Sequence, residues 1–193
     1  MNFKELQRHA EENGLAVPAA QMGRGQVAVV LRWLNDTSSF AREQEGSVVV
    51  RESGADHWTI IARSGRSRDP SEVGAYWGNP RNLVVLRLTP ELPYDDFEAY
   101  REEHNSSGIN SRDLTNGRVA VVLQWSGWYD SFAGALVAKE RTGRIVVIRN
   151  APDEPDRTHG AYWSADERGL IVKPVALELP YDVPLRPASL AVA

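Results

Sequence analysis

The segment Gly25-Gln26-Val27-Ala28-Val29-Val30-Leu31-Arg32-Trp33 is spelled again, seven of nine residues identical, as Gly117-Arg118-Val119-Ala120-Val121-Val122-Leu123-Gln124-Trp125. Three further matches follow in the same order: Ser39-Phe40-Ala41 with Ser131-Phe132-Ala133, Gly74-Ala75-Tyr76-Trp77 with Gly160-Ala161-Tyr162-Trp163, and Glu91-Leu92-Pro93-Tyr94-Asp95 with Glu178-Leu179-Pro180-Tyr181-Asp182. Collinear matches of this kind predict two tandem copies of one unit of roughly ninety residues, the scale of a small domain. Whatever the first copy folds into, the second is expected to fold into as well. A unit that small has a thin core of its own, so the copies are expected to pack on each other about a pseudo-twofold axis. The boundaries fall at about 1–95 for the first copy and 96–182 for the second. The C-terminal tail, 183–193, carries Pro184 and Pro187 without periodicity and is expected to wrap the surface or fray.

Each copy opens on a helical pattern. Asn2 and Asp96 are the expected N-caps, with side-chain oxygens for free backbone N–H groups, and Gly14 and Gly108 are the expected C′ residues with positive φ. The Val-Ala-Val-Val-Leu run reads as a central strand with Val27, Val29, Leu31 and Trp33 on one face at period two. A hairpin is expected from Val48–Glu52 and Trp58–Arg63, and its counterpart from Leu136–Glu140 and Arg144–Arg149. The last strand covers Leu83–Leu88 in one copy and Leu170 through Leu177 in the other, where Pro174 demands a bulge or an edge. The predicted class is α+β: an α-β-β-β-β unit, twice, in mainly antiparallel sheets each covered by one helix.

The 193 residues contain no cysteine, which excludes disulfide scaffolds, thiolate nucleophiles and Cys-ligated metal centres. Charged residues make up 25% and the net charge is -4, so there is no general electrostatic attraction to nucleic acid or anionic lipid, which need clustered Lys and Arg, and neither is an expected partner. No apolar leader or spanning segment is present, so a cytoplasmic location is expected. His9, His57, His104 and His159 share no metal-ligand spacing, Ser39 and Ser131 lack a nucleophile-elbow context, and no metal or cofactor is expected. Gly23-Arg24-Gly25-Gln26-Val27-Ala28 has the letters of a dinucleotide-binding turn but precedes a strand instead of joining strand to helix.

Aromatic residues remain. Tyr76, Trp77, Tyr162 and Trp163, read as lying in loops before the last strand, combine flat rings with polar tips and are candidates to anchor a partner. Trp33 and Trp125, with Phe40 and Phe132, are core plugs or pocket walls. Asp95 and Asp182 serve turns and caps more readily than a paired-carboxylate site. The loop Arg63-Ser64-Gly65-Arg66-Ser67-Arg68 is basic, whereas its equivalent, Arg149 to Asp156, is acidic. These features predict a non-catalytic binding protein, of an inhibitor or immunity type, that holds another protein through aromatic loops. The alternative is an enzyme or small-molecule-sequestering protein with a pocket between the copies, lined by Trp33, Trp125, Tyr76 and Tyr162 and with His57 or His159 as acid or base. A structural subunit that self-associates through its oppositely charged loops is a third reading.

Overall fold

The computed structural model describes residues 1–35, 39–54, 57–62, 74, 76–78, 82–125, 132–152, 154, 158–167 and 169–182; the side chains at 39, 40 and 76–78 are outside that description. The basic loop 63–68, most of the acidic stretch 153–157 and the tail 183–193 therefore lie outside the described residues. The fold is α+β with two antiparallel sheets and few helices. One sheet is built from β1 (Ala16–Pro18), β2 (Val27–Trp33), β3 (Val48–Arg51), β4 (His57–Ala62), β5 (Tyr76–Gly78) and β6 (Leu83–Leu88), in the order β1-β6-β2-β3-β4-β5. The other is built from β7 (Ile109–Asn110), β8 (Val119–Trp125), β9 (Leu136–Lys139), β10 (Arg144–Arg149), β11 (Tyr162–Ser164) and β12 (Leu170–Val175), in the order β7-β12-β8-β9-β10-β11. The two orders read the same along the chain. Helix α1 (Phe3–Glu12) precedes the first sheet, α2 (Ser39–Gln44) interrupts it, and α3 (Phe97–His104) precedes the second.

Antiparallel sheets commonly bury one face, yet these strands are apolar on both, and the reason is visible in what covers each side. Val27, Val29, Val48 and Val50 of the first sheet meet Val119, Val121, Leu136, Ala138 and Val146 of the second in one shared core. On the reverse faces, Ala28, Val30, Val49, Trp58 and Ile60 form one satellite core and Ala120, Val122, Val137, Ile145 and Val147 another. The helices do not each cover a separate sheet, as the sequence pattern predicts. Phe3, Leu6 and Ala10 of α1, with Phe97 and Tyr100 of α3, pack into the shared inter-sheet core.

Strict alternation places Trp33 beside Val27, Val29 and Leu31, but the structure puts it on the opposite face, against Ala28 and Val30. The cause is a β-bulge. Val30 pairs with Val85 and Arg32 with Val84, so Leu31 is left without a partner opposite and the register shifts by one residue. The second sheet does the same at Leu123, between Val122 paired with Val172 and Gln124 paired with Ile171, which turns Trp125 onto the face of Ala120 and Val122.

Other expectations are corrected in detail. The Gly-Ala-Tyr-Trp segments contribute edge strands β5 and β11, paired to β4 and β10, instead of loops. Asn2 and Asp96 do cap their helices: Asn2 Oδ1 accepts from the Glu5 N–H at 3.0 Å and Asp96 Oδ1 from the Glu98 and Ala99 N–H groups at 3.0 and 3.2 Å. Gly14 has φ +66° as expected of a C′ residue, but Gly108 has φ -66°. After α3 the chain runs through a 3-10 turn, and at Gly108 the missing side chain makes room for Ile171, whose Cγ2 would stand 2.6 Å from a Cβ there. Pro174 sits in β12 beyond the two-residue reach of β7, so the strand side where its N–H is missing has no ladder to break.

Candidate functional site

The sheets touch most closely at two corners, each made by a glycine before a central strand and the glycine of a Gly-Ala-Tyr-Trp segment. A Cβ on Gly25 would lie 2.5 Å from the Val147 carbonyl oxygen and 2.8 Å from Gly160 Cα; one on Gly117 would lie 2.2 Å from the Gly74 nitrogen and 2.7 Å from the Ile60 carbonyl oxygen. Gly25 and Gly117 also have φ of +72° and +77°. Two backbones this close leave room for glycine alone. The Gly25 corner accounts for the Gly-x-Gly letters in purely structural terms.

Between these corners lie two carboxylates that sequence patterns give no reason to single out. Glu52 follows β3, Glu140 follows β9, and both are fully buried. Each accepts the N–H of the residue that follows the other: Ser53 N–H donates to Glu140 Oε1 at 2.5 Å and Arg141 N–H to Glu52 Oε1 at 3.1 Å. Hydroxyls complete the shell, with Thr59 donating to Glu52 Oε1 at 2.5 Å, and Ser53 and Thr142 donating to Glu140 Oε2 at 3.0 and 3.1 Å. Glu52 Oε2 is buried without a hydrogen bond among the described residues and faces His57 Nδ1 at 3.8 Å. Burial pushes the Glu140 carboxyl above the ordinary range, the hydrogen bonds from Ser53 and Thr142 oppose that, and the nearby Glu52 adds to it. With no exposure to solvent, the pair joins the two sheets through reciprocal hydrogen bonds.

Two tyrosines fasten the same junction from the outside. Tyr94 donates its hydroxyl to the Gly134 carbonyl before β9, and Tyr181 donates to the Gly46 carbonyl before β3. Each ring also rests on a helix phenylalanine, Tyr94 on Phe97 at 5.4 Å and Tyr181 on Phe3 at 5.2 Å. Asp182 accepts from the Met1 ammonium at 2.9 Å and is far from a paired site with Asp95 in character: it is a tie for the first helix.

An accessible cleft of about 610 Å³ opens between the sheets, with Gln26, Val27, Arg87 and Leu92 on one side and Ile148, Arg149, Asn150, Glu154 and His159 on the other. This is within the size range of small-molecule sites. Arg87 donates to the Gln21 carbonyl at 3.0 Å, whereas Arg149 has no hydrogen bond or ion pair among the described residues.

The aromatic candidates go elsewhere. Trp125 stacks on Trp163 with ring centroids 5.0 Å apart, Phe132 closes the cluster, and the whole lies on the reverse face of the second sheet. Trp33 is half-buried on the reverse face of the first. Tyr162 alone of the described candidates is open to solvent, 43% exposed, with the Arg144 guanidinium 5.0 Å over its ring. Tyr76 and Trp77 lie on β5, and their side chains are outside the described residues. None of the described rings lines the inter-sheet cleft; His159 does, and His57 belongs to the Glu52 network. The signal for Glu52 and Glu140 was present in their matching position after the third strand, but an exposed loop carboxylate is spelled the same way.

Among the described residues no set of three or more His, Asp or Glu side chains is arranged to hold a metal, and no helix is long and apolar enough to cross a membrane. No family model matches the sequence, and neither a curated protein nor a solved structure matches it.

Proposed function

We propose that the chain is a tandem duplicate, copies 1–95 and 96–182 related by a pseudo-twofold axis through the Glu52–Glu140 pair, and that it is a binding protein for a small molecule held between the copies. The supporting observation for the ligand is the inter-sheet cleft, walled by both sheets and carrying Arg149, unpaired among the described residues, with His159, Asn150 and Glu154 beside the apolar residues Val27, Leu92 and Ile148. A guanidinium with no hydrogen bond or ion pair among the described residues, in a half-apolar cleft, favours an anion with an apolar body, such as a small carboxylate or phosphate ester. Reciprocal contacts support the duplicate: Tyr94 reaches Gly134 as Tyr181 reaches Gly46, and Ser53 reaches Glu140 as Arg141 reaches Glu52.

Native mass spectrometry of the full chain isolated from its own cells is expected to show one small anionic species per chain, absent from an Arg149→Ala variant. An unliganded chain that also shows no amide shifts around Arg149 and His159 on titration with 4-phenylbutyrate and phenyl phosphate would overturn the reading. The competing reading is a protein partner docked on the edge strand β11, favoured by the exposed Tyr162 and the guanidinium stacked on it. A protein recovered in stoichiometric complex and lost on Tyr162→Ala would establish that one instead.

A further inference from the structure

A second cavity of about 440 Å³ lies where the segments after β6 and β12 pass each other. Its lining draws on Glu-Leu-Pro-Tyr-Asp, a repeated motif whose two glutamates, unlike Asp182, make no side-chain hydrogen bond or ion pair among the described residues. Leu88, Leu136, Val175 and Leu177 supply apolar wall, and Glu91 and Glu178, one from each occurrence of the motif, stand exposed at its rim. Neither glutamate has a hydrogen bond or ion pair among the described residues, and no Lys, Arg or His lines the cavity.

We propose that this groove binds a small organic cation, a primary amine or ammonium carrying an apolar body. Two carboxylates of one sign over a hydrocarbon wall complement a positive head and an apolar stem. A bare divalent ion is a poor fit, because it requires six or more oxygen ligands closely arranged and the walls here are mostly carbon. A protein or peptide strand is less suited than an amine, because the contributing segments are rich in proline and Pro90, Pro93 and Pro180 lack the N–H groups that strand addition uses. Exposed carboxylates attract weakly, so the charge selects the ligand while apolar contact holds it, and binding weakens in salt. The contrast with the Arg149 cleft is one of sign, and this site stands or falls independently of that one.

The probes are 4-phenylbutylammonium and its anionic counterpart 4-phenylbutyrate, titrated into the full chain and followed by amide NMR shifts. The cation is expected to produce saturable shifts over 88–93 and 175–180 and to bind there about tenfold more tightly than the anion, a difference of about 1.4 kcal/mol. In the Glu91→Gln, Glu178→Gln double variant, whose changes lie on the surface and leave the remaining spectrum in place, that preference should vanish. Equal affinity for the two probes at this groove, a preference unchanged in the double variant, or shifts from the cation that arise elsewhere or do not saturate would each overturn the proposal.

Discussion

The two halves carry the same motifs and strand order, but the N-terminal helix is built into the core and its counterpart is only laid against it. Helix α1 buries Phe3, Leu6 and Ala10, whereas no residue of α3 is fully buried. Their fastening tyrosines differ likewise. Tyr181 is 6% exposed, while Tyr94 is half-buried and its phenol is pushed up to about 12 by burial, with Tyr100 adding to the rise. The difference teaches where a shared motif can be held less tightly. Tyr94 is continuous with the helix it positions, only three residues ahead of Phe97, so a covalent connection shares the task. Tyr181 approaches Phe3 from the far end of the described chain, where contact alone must hold the helix.

The corners are the regions where the halves should behave alike, and there the largest effects are expected. Gly25→Ala and Gly117→Ala each combine a left-handed φ with a backbone atom closer than 3.0 Å to the new Cβ, and each should destabilise by about 3 kcal/mol or more in chemical denaturation. Gly14→Ala, with the same handedness and nothing within 4 Å, should cost only about 1 kcal/mol. Equal costs for all three would remove the corner argument.

The tyrosines should separate the halves. Tyr181→Phe leaves the Gly46 carbonyl facing a buried gap and is expected to cost about 1.5–2 kcal/mol, against about 0.5–1 kcal/mol for Tyr94→Phe, where the phenol removed is only half-buried. The reverse order would mean that covalent continuity, not burial, sets the need for the hydroxyl. Caps come next. Asn2→Ala removes the side-chain half of a capping box, leaving the backbone N–H of residue 2 to donate to Glu5, and Asp96→Ala removes a cap that serves two N–H groups, so each should cost about 1 kcal/mol, with hydrogen exchange rising first at the N-terminal turn of the affected helix.

The smallest net change should come from Glu140→Gln, which keeps the shape and most of the hydrogen bonding of the buried pair while removing one of its two like charges. Because the folded state raises this carboxyl, the folded chain keeps the proton to higher pH than the unfolded chain does. Its contribution to stability is therefore present below the unfolded value and is lost as pH rises through the folded one. Wild-type stability should fall across that interval, and the glutamine variant should not show that fall. A parallel pH dependence in the two proteins would show that Glu140 titrates as it does in the unfolded chain.

Much of this was legible in the sequence, and the reason is local. Alternating apolar residues, capping side chains and a proline's missing N–H act within a few residues, so the helix starts, the hairpins and the central and last strands followed from the sequence alone in the order in which they occur, whereas the strands β1, β5, β7 and β11 and helix α2 did not. The α+β class followed from that order. Tertiary structure decided the rest, through contacts between residues about ninety positions apart. It decided that Leu31 and Leu123 bulge, which sends Trp33 and Trp125 to the reverse faces, because register is set by what lies across the sheet and not by spacing along the strand. It decided that Gly25 and Gly117 are needed for backbone approach, and that Glu52 and Glu140 interlock. A glutamate after a strand reads as a solvated turn until a second sheet covers it, and only the packing of one half on the other supplies that cover.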